Sequence, residues 1–445
     1  MATLNPSSTV NSLPSPTLGL GLTRSVQPSR EKAESVHTLS GHSYPEGGLE
    51  AWLVVFGSFL SLFATWGIIN SYGVFHDYYS NVLLAQSSSS TIALIGALQL
   101  FLLYGCGPVV GRVFDLYGSK LLVPLGSIVT VVSLLLLSFC QPNETYQFFL
   151  ADGLLFGVGS AIVFVPSIDV LGHWFNRQRP LAIGIVASGS SLGGVVYPIL
   201  LERLIPKVGF PWAVRIMAFI NLGCLALSCV TIKDRPTKRG RIWQEGIVDL
   251  TGFRDVKYCL ACVATFILFY AQFIPYFYIQ AYASYRQLPP MVSQYILAMM
   301  NAAGIIRILP SILAVHYGTL NVIIPSTLIS GILVLGLWLP SKGVVPLVIF
   351  ALSYGILSGV FIALLSAYIG SISPPERFGA RLGCVWFFAA IACLVGTPTG
   401  GAFLQDRQNP NYGSLILFTG LMIIGGAIVL IIARVLHSRS WTYKI

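Results

Sequence analysis

Twelve apolar runs follow one another along this chain, at about 51–75, 90–110, 121–140, 147–171, 181–201, 211–232, 258–282, 292–315, 322–340, 344–369, 382–404 and 413–436. A bilayer core about 30 Å thick is crossed by about 20 apolar residues in a helix, so each run is long enough to span it. The runs show no polar/apolar alternation, which sets aside a β-barrel. In lipid every backbone N–H and C=O must be satisfied within its own segment. The expected fold is therefore an all-α membrane protein with twelve transmembrane helices. Only 9% of the 445 residues are charged, against roughly 25% in a soluble protein. That composition excludes a soluble enzyme, a nucleic-acid binder and a disordered scaffold. The net charge of +10 does not form a basic face, because the cations sit between the apolar runs.

Lys and Arg set the orientation. With the N-terminus inside, the inner segments hold 19 cations and the outer loops five. Both termini are therefore expected in the cytosol. Residues 1–50 are rich in Ser, Pro and Thr and carry no signal-peptide pattern, so they read as a disordered cytosolic tail. A basic stretch at 233–257 reads as a cytosolic central loop between two six-helix halves, 51–232 and 258–436, with a short cytosolic tail at 437–445. Two equal halves suggest a duplicated repeat. In secondary transporters such repeats bind substrate between them near the midplane and rock to give alternating access.

Polar residues inside the runs are the candidate machinery. Arg307, in segment eight, costs about 2.5–3.5 kcal/mol near the bilayer centre unless it faces a cavity or a partner. A guanidinium suits a carboxylate bidentately, so Arg307 leads as a substrate-anion site. The alternative is a structural pair with Asp152 or Asp169. Arg215, nearer the end of its run, reads as a snorkelling cation. Segment one carries Trp66 and Asn70, and segment seven carries Gln272, Pro275 and Tyr276. Amides and phenols in a span need partners or water, and the two segments read as matching cavity-lining helices. Trp66, Asn70, Gln272 and Tyr276 join Arg307 as candidate substrate contacts.

Between segments two and three, Gly111-Arg112-Val-Phe-Asp115-Leu-Tyr-Gly118-Ser-Lys120 reads as a short inner loop in which an acid and cations hold two helices in one conformation. The pattern resembles the loop signature of the major facilitator superfamily. Asp169 lies near Arg112 and Arg177 in this reading and joins them in a gate network, or else stands in water. Arg381 is the counterpart in the second half. Asn143-Glu-Thr145 is an N-glycosylation acceptor pattern in a very short outer loop. Cys259 and Cys262 form a lone C-x2-C without the further ligands a zinc site needs, so no metal is expected. No enzyme constellation, phosphate loop or ATP-binding site appears. The energy source is then an ion gradient, with proton coupling open, or the substrate's own gradient.

Longer motifs carry a family resemblance over about residues 46–436. Glu46-Gly-Gly-Leu-Glu-Ala-Trp52, Asn70-Ser-Tyr-Gly-Val-Phe75, the stretch from His173-Trp-Phe to Gly189 and Gly194, and Ser373–Gly383 with Gly396-Thr-Pro398 together resemble the monocarboxylate porter branch of the major facilitator superfamily, the fungal members most. The resemblance implies a transporter in which two six-helix halves enclose a small-molecule site. Animal lactate carriers of this branch place a Lys where Asn70 stands and an Asp where Ala303 stands, so a lactate–proton mechanism does not carry over.

The expected function is secondary active transport of a small organic, carboxylated molecule across the plasma membrane, with efflux of a fungal secondary metabolite ahead of uptake of a monocarboxylate or a vitamin such as riboflavin. A vacuolar membrane fits the same physics. A rival from another class is a transporter-like nutrient sensor.

Overall fold

The computed structural model describes residues 45–175, 178–235, 250–373, 377–406 and 410–437. Most of the N-terminal tail, most of the basic central stretch, Arg177 and the last residues lie outside them.

Among the described residues nine helices are long and apolar enough to cross a membrane. Three local breaks account for the remaining spans. Ser89–Gly105 and Gly107–Phe114 form one span bent by 40°. The 53-residue helix Arg179–Thr231 turns over at Gly209 (φ 77°, ψ 165°) and so supplies two. Pro290–Ala303 and Ile308–Tyr317 are joined through a 3-10 turn, Gly304–Arg307.

We number the spans α1 (Leu49–Leu83), α2 (Ser89–Gly105 with Gly107–Tyr117), α3 (Ser119–Leu137), α4 (Thr145–Trp174), α5 (179–208), α6 (210–231), α7 (Val256–Tyr285), α8 (290–317), α9 (Thr319–Trp338), α10 (Val344–Ser371), α11 (Phe378–Ala402) and α12 (Tyr412–His437). The fold is the expected one, all-α with two six-helix halves, α1–α6 and α7–α12. The face where α1 starts and α12 ends is called here the terminal face, and its opposite the far face.

The outer surface is apolar in the pattern lipid requires. On α3, Leu121, Leu125, Ile128, Val132 and Leu136 are exposed, at spacings of three and four residues, and form one stripe. In water such a stripe would be an adhesive patch, whereas in lipid it costs nothing.

Small residues set the closest helix contacts. A Cβ on Gly189 or Gly193 of α5 would lie 2.3 or 2.5 Å from the carbonyl oxygens of Phe59 or Phe63 on α1. Without a hydrophobic driving force between helices, backbone approach of this kind supplies packing energy.

The stretch from Gly111 to Tyr117 is helical, so the expected loop there contracts to Gly118 alone. Gly118 has φ 77°, and its N–H donates to the Phe114 carbonyl at 2.7 Å. Only glycine adopts this backbone cheaply, so one residue turns the chain from α2 into α3. Gly318 does the same between α8 and α9, with φ 94° and its N–H on the Ala314 carbonyl at 2.9 Å. Each glycine is followed by a hydroxyl residue (Ser119, Thr319) and then by a proline inside the next helix (Pro124, Pro325). These paired turns are the local signature of the repeat.

Candidate functional site

The two halves meet along α2 with α11, α5 with α8, and α1 with α7. Both α1 and α7 are interrupted in mid-span. In α1 the regular helix breaks at Thr65 and again at Asn70–Ser71, and in α7 it breaks at Phe273, just before Pro275. Proline lacks the N–H that would continue the ladder, which explains α7. Ser71 takes the Gly67 carbonyl with its own hydroxyl at 2.6 Å, a local competition that bends helices. Interrupted helices at a repeat interface are where transporters place their sites.

An aromatic cluster fills the middle of this interface. From the first half come Trp66 on α1, Tyr104 on α2 and Phe164 on α4; Trp66 meets each of the other two edge-on at 5.6 Å. From the second half come Phe269 on α7, Phe361 on α10 and Trp386 on α11. Tyr104 joins the two sets, stacked on Trp386 at 4.9 Å and edge-on to Phe269 at 5.3 Å. The Trp66 indole N–H is buried with no hydrogen-bond partner among the described residues. A buried polar hydrogen left open in a native structure calls for an explanation.

The expected contact residues divide in two. Trp66 belongs to the cluster. Asn70 sits where α1, α5 and α8 converge: its amide reaches the Ser190 carbonyl at 3.5 Å, and its own carbonyl accepts from Asn301 on α8 at 3.3 Å. Asn301 is fully buried and its side-chain oxygen has no partner among the described residues. Asn301 is not among the sequence candidates, although an amide inside an apolar run is the same signal that singles out Asn70.

Gln272 and Tyr276 are tied to α10. The Gln272 amide donates to the Ser358 carbonyl, the Tyr354 hydroxyl donates to the Gln272 carbonyl at 2.9 Å, and Tyr276 bonds the Ser358 hydroxyl at 3.1 Å. Behind them Gln272, Thr327, Ser330, Tyr354 and Ser358, together with Leu268, Leu357, Phe361 and Ile423, line a cavity of about 10 Å³, about the space of one water. Arg307 ends the 3-10 turn that interrupts α8, and the structure describes its backbone only.

The far face is sealed between the halves. A Cβ on Gly73 of α1 would lie 2.4 Å from the Tyr276 carbonyl oxygen of α7. Tyr72 packs on Phe277 at 4.7 Å, and His76 meets Tyr278 edge-on at 4.9 Å. Gln280 of α7 donates to the Glu202 carboxylate of α5 at 2.5 Å, Arg203 reaches the Tyr295 hydroxyl at 3.4 Å, and Ser90 of α2 donates to the Pro398 carbonyl of α11 at 2.8 Å.

On the terminal face the residues read as a gate lie as follows. Gly111 faces Val165 of α4, the segment that ends in Asp169, and Arg112 follows it, half-buried like Asp169. The structure describes only the backbone of Asp115, in the last turns of α2. Arg381 is buried within the second half: its guanidinium lies over the Tyr258 ring at 5.3 Å and donates to the Ile372 carbonyl at 3.3 Å. It thereby ties α7, α10 and α11 together. Glu46, Trp52 and the His173-Trp174-Phe175 stretch, far apart in sequence, meet here. Glu46 N–H donates to the Trp174 carbonyl at 3.2 Å, and Trp52 meets Phe175 edge-on at 5.5 Å.

Asn143 is exposed, with a left-handed backbone (φ 65°) pinned to the Leu83 carbonyl at 2.7 Å. Arg215 is held at its depth by Ser138 (3.1 Å) and by the rings of Phe139 and Trp212. No group of three or more His, Cys, Asp or Glu among the described residues is placed to hold a metal.

Two six-helix halves, each with a mid-span break in its first helix, thus meet at an aromatic cluster beneath a sealed far face. The Major Facilitator Superfamily model matches residues 51–396, and the chain belongs to that superfamily. Similar proteins include the agnestins efflux protein of Paecilomyces divaricatus (36% identical, covering 93% of this chain and 95% of that protein) and the fujikurins efflux protein of Gibberella fujikuroi (35%, covering 90% and 86%). An MFS transporter of Aspergillus flavus is 35% identical over 88% of both chains. The solved structure of the nucleoside transporter NupG superposes with a TM-score of 0.65 at 14% identity, covering 87% of this chain and 99% of that one, and so shares the fold. The chain is thus a multi-pass transporter of small molecules in a lipid bilayer and not an enzyme.

Proposed function

We propose that this transporter exports a fungal secondary metabolite, a carboxylated and largely apolar molecule, from the cytosol across the plasma membrane by alternating access. The observation that carries the reading is the aromatic cluster shared by the two halves, with Tyr104 and Trp386 stacked across the interface. A site built from rings of both halves binds a flat apolar body and is dismantled when the halves rock, which is how binding and release alternate. Arg307, at the break in α8, supplies the cation for a carboxylate. Trp66 and Asn70 add a donor and an amide, with Gln272 and Tyr276 as the adjoining wall.

The relatives named for efflux of agnestins and fujikurins support the direction. The excess of cations in the inner segments favours a cytosolic setting for both termini and for the terminal face. The long motifs around Glu46, His173 and Ser373 favour the monocarboxylate porter branch. Gly111, Arg112, Asp115, Gly118, Asp169, Arg177 and Arg381 form or support the cytosolic gate.

The test is untargeted mass spectrometry of cells and medium from wild-type and deletion strains. Export predicts a compound that accumulates inside the deletion strain and is lost from its medium. A compound left unused in the medium would make the protein an importer.

A further inference from the structure

A cation and an apolar groove meet on the outer surface of the first half, away from the aromatic site. The groove lies between α3 and α4 at their far-face ends and has a volume of about 450 Å³. Small-molecule sites typically measure about 300–1,000 Å³. It is lined by Leu136, Phe139 and Cys140, from the end of α3 and the turn after it, and by five residues of α4 between Gln147 and Leu155. Leu136, Phe139, Leu150 and Leu154 are exposed, and Leu136 ends the stripe that α3 presents to lipid. The groove therefore opens sideways into the bilayer.

Its two ends differ in chemistry. α3 runs towards the far face and α4 away from it. Leu154 and Leu155 therefore lie deeper than Gln147, at a rise of about 1.5 Å per residue. The deep end is aliphatic. At the shallow end the Gln147 amide donates to the Tyr146 hydroxyl at 3.3 Å, and its side-chain carbonyl accepts from the Gln141 N–H at 2.8 Å. Arg215 of α6 donates through Nε to Ser138 Oγ at 3.1 Å, and its guanidinium lies over the rings of Phe139 at 4.8 Å and Trp212 at 5.1 Å. Phe139 also lines the groove, so the cation stands at its mouth. Trp212 and Tyr146 are exposed, and such rings collect at headgroup level, the depth at which lipid phosphates lie. No carboxylate among the described residues pairs with Arg215. The two rings fix the plane of the guanidinium and leave its terminal N–H groups for an acceptor from outside.

We propose that the groove between α3 and α4 binds one anionic glycerophospholipid, with its phosphate on Arg215 and one acyl chain against Leu136, Leu150, Leu154 and Leu155. A guanidinium takes a phosphate through two parallel N–H···O bonds. A sterol brings a hydroxyl and no charge to that cation, and a choline headgroup brings a second cation beside the phosphate. An anionic headgroup neutralises Arg215 without either fault. The bound lipid bridges α3, α4 and α6 within the first half. The site is separate from the aromatic cluster, and its occupancy does not depend on which molecule is exported or in which direction.

The experiment uses the full chain in a non-ionic detergent and native mass spectrometry with added palmitoyl-oleoyl phosphatidylglycerol, the matching phosphatidylcholine, or ergosterol. One phosphatidylglycerol per protein should be retained more tightly than the other two. Arg215→Gln should weaken that binding by about tenfold, the loss of one charge-assisted contact, and Arg215→Lys by less. Leu150→Trp, at an exposed position in the groove, should weaken it by filling the space of the chain. Lys207→Gln, which removes an exposed cation at the end of α5, should leave it unchanged. Phosphatidylglycerol with a diazirine on one acyl chain should label peptides 136–140 and 147–155. Equal retention of phosphatidylglycerol and phosphatidylcholine, or label spread evenly over the outer helices, would mean annular lipid only and overturns the proposal. Preferred retention of ergosterol overturns it in favour of a sterol. Should Arg215→Gln not fold, the headgroup preference, Leu150→Trp and the label map decide the question alone.

Discussion

Tyr104 and Trp386 stack face to face at 4.9 Å with their planes 4° apart, although one belongs to α2 and the other to α11. Aromatic pairs contribute about 0.5–1.5 kcal/mol beyond their area. This pair spans the interface that must alternate, so its energy enters the balance between conformations as well as the affinity for an apolar ligand.

Trp386→Ala should lower transport by an order of magnitude or more while the protein still reaches the membrane. Trp386→Phe should keep part of the activity. Flux of the exported compound in vesicles, normalised to membrane-inserted protein, measures both. Equal activity in all three would place the substrate elsewhere.

Arg307→Ala should abolish flux of an anionic substrate and leave folding intact. Arg307→Lys should retain a weaker fraction, because an ammonium keeps the charge and loses the bidentate fork. A binding titration of the same compound against both variants tests this. Full flux in Arg307→Ala would remove it from the site.

Glu202→Ala should loosen the far face, because it strips the acceptor from a Gln280 that is 2% exposed. Breaking a hydrogen bond to a charged group typically costs about 1.5–3 kcal/mol. The change should raise labelling of a cysteine placed at Gln280 by a reagent confined to the far side. Unchanged labelling would show that the α1–α7 contacts suffice for the seal.

Gly73→Ala attacks the same seal from α1, since its new methyl would overlap the Tyr276 carbonyl. The sealed state is strained and the unsealed one is not, so transport should slow and far-face labelling should increase. Wild-type turnover in this variant would mean that α1 and α7 separate less than the sealed geometry implies.

Gly118→Ala and Gly318→Ala test the paired turns. Both glycines combine a positive φ with an extended ψ, a backbone that costs an L-residue about 1–3 kcal/mol. Each variant should therefore lower the melting temperature by a few degrees, and by similar amounts if the two turns are equivalent. A large drop for one alone would show that the repeat is unequal there.

The twelve spans were legible because lipid leaves a helix no alternative once about twenty apolar residues stand in a row. The repeat was also written locally, in the glycine, hydroxyl and proline series around Gly118 and Gly318. The helical course of Gly111–Tyr117 was not legible, since glycine and charge in a short inter-span stretch look like a loop until Gly118 is seen to make the whole turn. Trp66 could be singled out as polar within a span. Its companions Tyr104, Phe164 and Phe361 could not, because an aromatic residue in an apolar run is indistinguishable from packing.

The sequence by itself determined the solvent, the number and kind of spanning elements, and the superfamily. All of these follow from local hydrophobicity and from motifs contiguous in the chain. Only the tertiary structure decided that Tyr104 meets Trp386, that Gln280 holds Glu202, and that Asp152 is buried with Tyr79 and Gln99 in place of a cation. Those pairings join residues 53 to 282 positions apart. They depend on how closely small residues let particular helices approach, which no single apolar run records.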